Sequence, residues 1–221
     1  MPCLLLDVDG VIIRDRLLLA HVKHNATRYV HSKLPNCADP VSVNRSLYLA
    51  YGHTARGLST GFGIDCSDFN EKVYDKSLLS HLADTLETPE FQADAEHISN
   101  LIFYGWPVTL FSNAPYEWVS PVARAISDQV RIRCPGSNPA KSYLKPEPGF
   151  YKEFDTCTDY YFVDDSLKNL GAVRDMENWY PIHYNEGQHD RNMWCPQISR
   201  LQDLHSGILS NPVRNVLKVQ K

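Results

Sequence analysis

LLLDVDGVI, residues 4–12, runs three leucines straight into two aspartates one residue apart, followed at once by glycine. The apolar run lacks the alternation of a half-exposed strand and reads as a strand buried on both faces, the habit of a parallel sheet. Packing alone does not need carboxylates at the end of such a strand. Asp7 and Asp9 repel each other unless something cationic joins them, so the end of this strand points to chemistry. The bland alternative is a tight turn in which Gly10 supplies a positive φ.

Other runs share the character of the first: PVTLFS at 107–112, VRIRC at 130–134 and YYFVDD at 160–165, with YPIHY at 180–184 as a fifth strand. Helix-like stretches lie between them at 115–128, with Pro115 near the first turn, at 147–154, and at 166–176 with Ser166 placed as an N-cap. Strands alternating with helices predict an α/β fold, a Rossmann-like doubly wound parallel sheet. Residues 15–100 break the alternation. RLLLAHVKHNATRYVHSKL, PVSVNRSLYLAYGHTARGL and SDFNEKVYDKSLLSHL carry apolar residues at three- and four-residue spacing, so an α-helical insertion is expected there. The domain division that follows is a core of 1–14 with 101–221 and a helical cap of 15–100. The stretch CPQISRLQDLHSGIL, 195–209, is expected to add a short edge strand and a final helix.

The 221 residues suffice for one large domain, or a core with a sizeable insertion. With 43% hydrophobic and 22% charged residues the composition is that of an ordinary globular protein. A net charge of −4 and a pI near 6.1 give no electrostatic footprint for long nucleic acid. No apolar stretch reaches the length of a membrane span, and the N-terminal run does not look like a cleaved signal peptide. Six scattered cysteines without a C-x-x-C pair fit a reducing compartment, so a cytoplasmic location is expected.

The strands at 3–8, 107–112 and 160–165 each stop at oxygen-bearing residues: Asp7 and Asp9, then Ser112 and Asn113, then Asp164 and Asp165. In an open parallel sheet ligands bind beyond the carboxyl ends of the strands, so these groups are expected to face one crevice. Lys145, in YLKPEP, falls on a loop that leads to the same place. Two unit charges roughly 4 Å apart repel by about 1 kcal/mol in water and ~4 kcal/mol at an effective dielectric of 20. Four carboxylates therefore call for a cation, and an oxygen-only donor set selects Mg2+ over zinc. Magnesium normally shares its shell with a substrate phosphate, for which Ser112, Asn113 and Lys145 supply hydrogen bonds and a point charge. Taken alone, Ser112 and Asn113 read equally well as a cap for the next helix.

DVDGV at 7–11, LFSNA at 110–114, LKPEP at 144–148 and FVDDS at 162–166 resemble, in order, the four motifs of the haloacid dehalogenase (HAD) superfamily. The resemblance implies a phosphatase in which Asp7 is the nucleophile and forms an aspartyl-phosphate. It implies that Asp9 protonates the leaving oxygen and later activates water, with its backbone carbonyl on the metal. Ser112 and Lys145 would hold phosphate, Asp165 would bind magnesium directly, and Asp164 would act through a water. Dehalogenating members generally lack an aspartate at the position of Asp9, so the resemblance favours phosphate esters over halides.

YLAYGHTARGL at 48–58 and IDCSDFNEKVYD at 64–75 are similar to the cap of the pyrimidine 5′-nucleotidase-like branch, whose pattern falls here on Tyr51, Gly52, Gly57, Leu58, Phe69, Val73 and Asp75. GVIIRDR after the first motif and NEGQHDRNMWC at 185–195 depart from that branch. The implied substrate is a small phosphorylated metabolite, first a nucleoside 5′-monophosphate, with Tyr51 and Arg56 as cap residues for specificity. A sugar phosphate, a phosphoglycolate or a phosphomutase reaction is the alternative, and a catalytically silent binding module the non-enzymatic one. His21, His24 and His31, and likewise His183, His189 and Cys195, have spacings that resemble metal ligands. No carboxylate or cysteine partner set accompanies the first three, so zinc is not expected.

Overall fold

The computed structural model describes residues 2–187 and 193–204. Six parallel strands form its sheet: β1 (Cys3–Leu6), β2 (Val108–Phe111), β3 (Arg131–Arg133), β4 (Tyr160–Asp164), β5 (Trp179–Tyr184) and β6 (Gln197–Ile198). Their order is β3-β2-β1-β4-β5-β6. This is the doubly wound arrangement, with its switch point between β1 and β4, where the chain departs to opposite sides. The expected edge strand is present as β6, whereas the end of the expected final helix, 205–209, lies outside the described residues.

Alternation along the strands assigns each apolar side chain to one of two layers. Leu4, Leu6, Val108, Leu110 and Val163 pack on one face against α5 (Lys76–Leu86), α6 (Pro89–Phe103) and α7 (Tyr116–Ile126). Cys3, Leu5, Phe111, Phe162 and Trp179 pack on the other, against Phe150 and Tyr151 of α8 (Pro148–Tyr151) and Leu170 of α9 (Leu167–Gly171). The second layer is aromatic: the Phe111 and Phe150 rings stack with centroids 4.8 Å apart. Both layers are buried and closely packed, so the strand ends beneath the crevice are held rigidly.

All the remaining helices lie between β1 and β2: α1 (Arg16–Lys33), α2 (Pro40–Tyr51), α3 (Thr54–Phe62) and α4 (Phe69–Val73), followed by α5 and α6. The long segment 40–58 is broken because Gly52 takes φ +74° and closes α2, after which His53 caps α3 through its Nδ1, which accepts from the Ala55 N–H at 3.2 Å. Aspartates cap three helices: Asp15 accepts from the amides of Leu17 and Leu18, Asp39 from that of Ser42, and Asp75 from that of Leu78. Packing divides the helical insertion. Tyr29, Val30, Leu47, Leu58, Phe69 and Val73 form a separate small core, whereas Leu78, Leu82, Ile98 and Leu101 join the core of the sheet.

The helices after the third and fourth motifs are shorter than expected. The stretch 147–154 contracts to α8 and 166–176 to α9, and the Ser166 side chain caps nothing. Asp164 accepts from the Ser166 N–H instead, at 2.8 Å, so the turn is held by a carboxylate of the site itself.

Burial of His53 has a consequence for stability. It is 7% exposed, and burial, aided by Arg56, pushes its pKa down to about 4. The folded state holds this ring neutral while the unfolded chain protonates it near pH 6.5. The contribution is complete above that value and is lost as pH falls towards about 4, a loss of about 3 kcal/mol. His53→Asn keeps a side chain able to cap and removes the titration. Urea unfolding at several pH values is expected to show wild type losing that much more stability on acidification than the variant.

Candidate active site

Register brings the carboxylates together. Leu6 pairs with Val163, so Asp7 and Asp164 end adjacent strands side by side, and the Asp7 N–H donates to the Val163 carbonyl at 2.9 Å. On the other side Leu6 pairs with Leu110, which brings Ser112 to the same level just beyond β2. Gly10, at φ +85°, turns the chain away; a Cβ there would lie 2.4 Å from Oδ2 of Asp165, so only glycine allows that carboxylate its place.

Lys145 is the centre of the cluster. It is 1% exposed, and its Nζ donates to Oδ1 of Asp7 at 3.0 Å and to Oδ2 of Asp164 at 2.7 Å. Burial alone would lower its pKa, but Asp164 and Asp7 more than offset this and keep it an ammonium. Asn113 fixes its backbone in both directions: Oδ1 accepts from the Lys145 N–H at 2.7 Å, and Nδ2 donates to the Lys145 carbonyl at 2.9 Å. Asn113 therefore positions the lysine. Ser112 Oγ accepts from the Ala114 N–H at 3.0 Å, which leaves its hydroxyl proton free for a ligand.

The carboxylates differ in what already binds them. Asp164, 0% exposed, accepts from Lys145, from the Ser166 N–H and from Asn169 Nδ2 at 3.0 and 3.2 Å. Asp7 Oδ1 accepts from Lys145 and from the Val8 N–H at 2.7 Å, while no donor among the described residues reaches Oδ2. Asp9 Oδ1 accepts from Trp118 Nε1 at 2.8 Å, and its Oδ2 likewise has no such donor. Asp165 is exposed, and His183 Nε2 lies 3.1 Å from its backbone oxygen.

Together the four carboxylates face one ammonium, and their titration reflects the imbalance. Burial pushes Asp7 well above the usual carboxylate range against the pull of Lys145, with Asp164, Asp165 and Asp9 adding to the rise. Asp9 rises to about 6 through burial, opposed by Trp118 and Lys145. Asp165 also rises to about 6, through loss of hydration and the charge of Asp164. Carboxylate oxygens of Asp7, Asp164 and Asp165 lie within 4.8 Å of one another, the one cluster of His, Cys, Asp or Glu of this kind among the described residues. An oxygen-only set with excess negative charge fits a hard divalent cation such as Mg2+. The histidines His21, His24 and His31 do not converge with other ligands; His189 lies outside the described residues.

Above the carboxylates the helical insertion closes a cavity of 460 Å³. Asp7, Asp9, Ser112, Asn113, Lys145 and Asp165 line its floor, as the sequence predicted, with Asp164 buried beneath. Tyr51 and Arg56, expected as specificity residues, do not line it. Tyr51 packs with the small core of the insertion, and Arg56 is spent on the Ser142 carbonyl and on Glu147, tying α3 to the loop of Lys145. Tyr48 and Tyr74 stand over the floor instead. Tyr48 is 58% exposed as a residue, yet loss of hydration at its hydroxyl and the charges of Asp7, Asp165 and Asp9 raise that group to about 12. Burial, with Asp9, raises the Tyr74 hydroxyl well above its usual value.

Trp118 and Asn169 were not legible as site residues, because each reaches its carboxylate from a helix whose apolar or polar pattern has an ordinary explanation. The departure GVIIRDR also has a structural role. Arg14 donates to the Val11 carbonyl at 2.7 Å and pairs with Asp94 and Glu90 of α6 at 2.6 and 2.8 Å, clamping the turn that carries Asp9.

Comparison with solved structures places this architecture. A HAD phosphatase from Thermococcus onnurineus superposes over 92% of this chain and 96% of its own, with a TM-score of 0.58 at 17% identity. An L-2-haloacid dehalogenase matches over 92% and 96%, with a TM-score of 0.51 at 13% identity. A HAD-hydrolase of Bacillus subtilis, solved with magnesium bound, covers the same shares with a TM-score of 0.50 at 12% identity. No protein-family model matches the sequence, and no curated protein does. The chain has the fold of the HAD-superfamily hydrolases, α/β with a six-stranded parallel sheet among the described residues. No helix among those residues is long and apolar enough to cross a membrane.

Proposed function

We propose that the chain is a magnesium-dependent phosphomonoester hydrolase acting on a small organic phosphate through an aspartyl-phosphate on Asp7. The observation that carries this reading is the pair of free oxygens, Oδ2 of Asp7 and Oδ2 of Asp9, over a floor bearing Lys145 and Ser112. Displacement of a halide needs no proton donor for the leaving group, whereas an alkoxide does. A second carboxylate, half-buried on the cavity floor and with its pKa raised to about 6, suits that task, which supports phosphatase over dehalogenase chemistry.

In the first step Oδ2 of Asp7 attacks phosphorus, the bond to the leaving oxygen breaks, and protonated Asp9 supplies its proton. In the second, Asp9 takes a proton from water, the water oxygen attacks phosphorus, and the bond to Asp7 breaks to release inorganic phosphate. Lys145 and the Ser112 hydroxyl hold the phosphoryl oxygens throughout. Asp7 and Asp165, with Asp164 behind them, would hold the magnesium, which when bound neutralises charge on the phosphoryl group. Residues 16–75 act as the cap that shields the reaction from water, while α5 and α6 belong to the core. A nucleoside monophosphate and a sugar phosphate are both substrates of the right kind, and the alternative outside catalysis is a silent binding module.

The deciding experiment is release of phosphate from p-nitrophenyl phosphate. Activity is expected to vanish with chelator and return with magnesium, while chloride release from 2-chloropropionate stays at background; the reverse pattern overturns the reading. Gly10→Ala is expected to raise the magnesium concentration for half-maximal activity by about 10- to 100-fold, because its Cβ displaces Asp165.

A further inference from the structure

The leaving-group end of the cavity is walled by the insertion, and its charged groups are all cations. Lys23 of α1 and Arg45 of α2 line it, and neither forms an ion pair or side-chain hydrogen bond with any described residue. Lys33 pairs with Asp68 at 3.0 Å and Arg56 with Glu147 at 3.4 Å, and neither lines the cavity; Lys23 and Arg45 are distinguished by lining it without such a partner among the described residues. His53 also lines the cavity. Its Nδ1 accepts from the Ala55 N–H, so the neutral ring carries its proton on Nε2, a third donor.

Acceptors on this side are neutral hydroxyls, those of Tyr48, Tyr74 and Thr54, and the Asn44 amide is engaged. Asn44 Oδ1 accepts from the Thr54 hydroxyl at 2.6 Å, and Asn44 Nδ2 donates to Thr27 at 3.0 Å. Every carboxylate lining the cavity belongs to the floor: Asp7, Asp9 and Asp165. A leaving group with an ammonium would therefore meet two cations and no carboxylate at this end. Two cations in one wall, neither paired with a described residue, are free to pair with an anion.

We infer that the substrate carries a second anionic group, a carboxylate or another phosphoryl group, at the end remote from the scissile phosphate, and that Lys23 and Arg45 recognise it. This rests on the phosphatase reading for what happens to the ester, but not for how the charge is recognised. Both side chains are solvent-accessible, so the discrimination is modest, about tenfold in kcat/KM.

The test compares glycerol phosphate, phosphoglycerate, propanediol bisphosphate and phosphoethanolamine, both as substrates and as ligands by calorimetry in the presence of magnesium. The anionic esters are expected to lead glycerol phosphate by about tenfold, with phosphoethanolamine last. Which of phosphoglycerate and the bisphosphate leads identifies the second group. Lys23→Met with Arg45→Met is expected to bring the ratio of anionic to neutral ester close to one, and Arg45→Glu to favour phosphoethanolamine. Equal affinities and rates for the neutral and anionic esters in wild type, or a ratio that survives the double replacement, overturn the inference. Retained binding preference without turnover of any ester overturns the phosphatase reading alone.

Discussion

Asp7→Asn is expected to lower turnover of p-nitrophenyl phosphate on the order of 10⁴- to 10⁶-fold, the range for removal of a nucleophile, with no loss of stability. The amide oxygen can keep both donors that reach Oδ1, the Val8 N–H and Lys145 Nζ. What disappears is the negative charge and the nucleophilic lone pair at Oδ2. Burial and three neighbouring carboxylates already disfavour ionised Asp7, so a neutral amide relieves repulsion in the cation-free protein. The unfolding midpoint without magnesium is therefore expected to hold or rise. Reduced activity joined to an intact or raised midpoint separates loss of the nucleophile from loss of the fold. Equal rates for the two proteins would remove Asp7 from the mechanism.

The floor of the site was legible because strand and motif coincide in this fold. Each chemistry-bearing group follows a buried apolar run, and register in a parallel sheet then fixes which groups meet, as Leu6 with Val163 and Leu110 does. The wall was not legible, for a physical reason. A helix shows its sequence at 3.6-residue spacing, which says which residues share a face but not what that face packs against. Tyr48 and Tyr51 illustrate this: both are aromatics of α2, yet one lines the cavity and the other packs inward. Arg56 shows the same limit, since its partner Glu147 lies 91 residues on. The extent of the separate helical core had the same difficulty. The apolar stripes of α5 and α6 look like those of α1, and only tertiary packing assigns them to the sheet.

Lys145→Met is expected to abolish detectable turnover and to destabilise the protein by about 3–5 kcal/mol, the cost of removing one partner from a buried ion pair. Methionine matches the length of the lysine stem and still packs beside Phe111 and Phe162, over whose rings the ammonium now lies at 5.4 and 5.5 Å. The loss is therefore electrostatic rather than a cavity. Asp164 would stay buried with only Asn169 and the Ser166 N–H as donors, and Asp7 with only the Val8 N–H. A second replacement, Asp164→Asn, removes one stranded charge and is expected to recover about 2 kcal/mol in a double-mutant cycle. The pH dependence has a definite sign. A carboxyl whose folded pKa is raised binds more protons folded than unfolded, so stability rises as pH falls from the folded pKa towards the unfolded value near 3.9. Lys145 holds the Asp7 pKa down, and its removal raises it further. The variant is thus expected to regain, on acidification through that window, a larger part of its deficit than wild type gains. Urea unfolding of both proteins from neutral pH downwards measures this, and a constant difference between them would show that Lys145 and the carboxylates are not coupled.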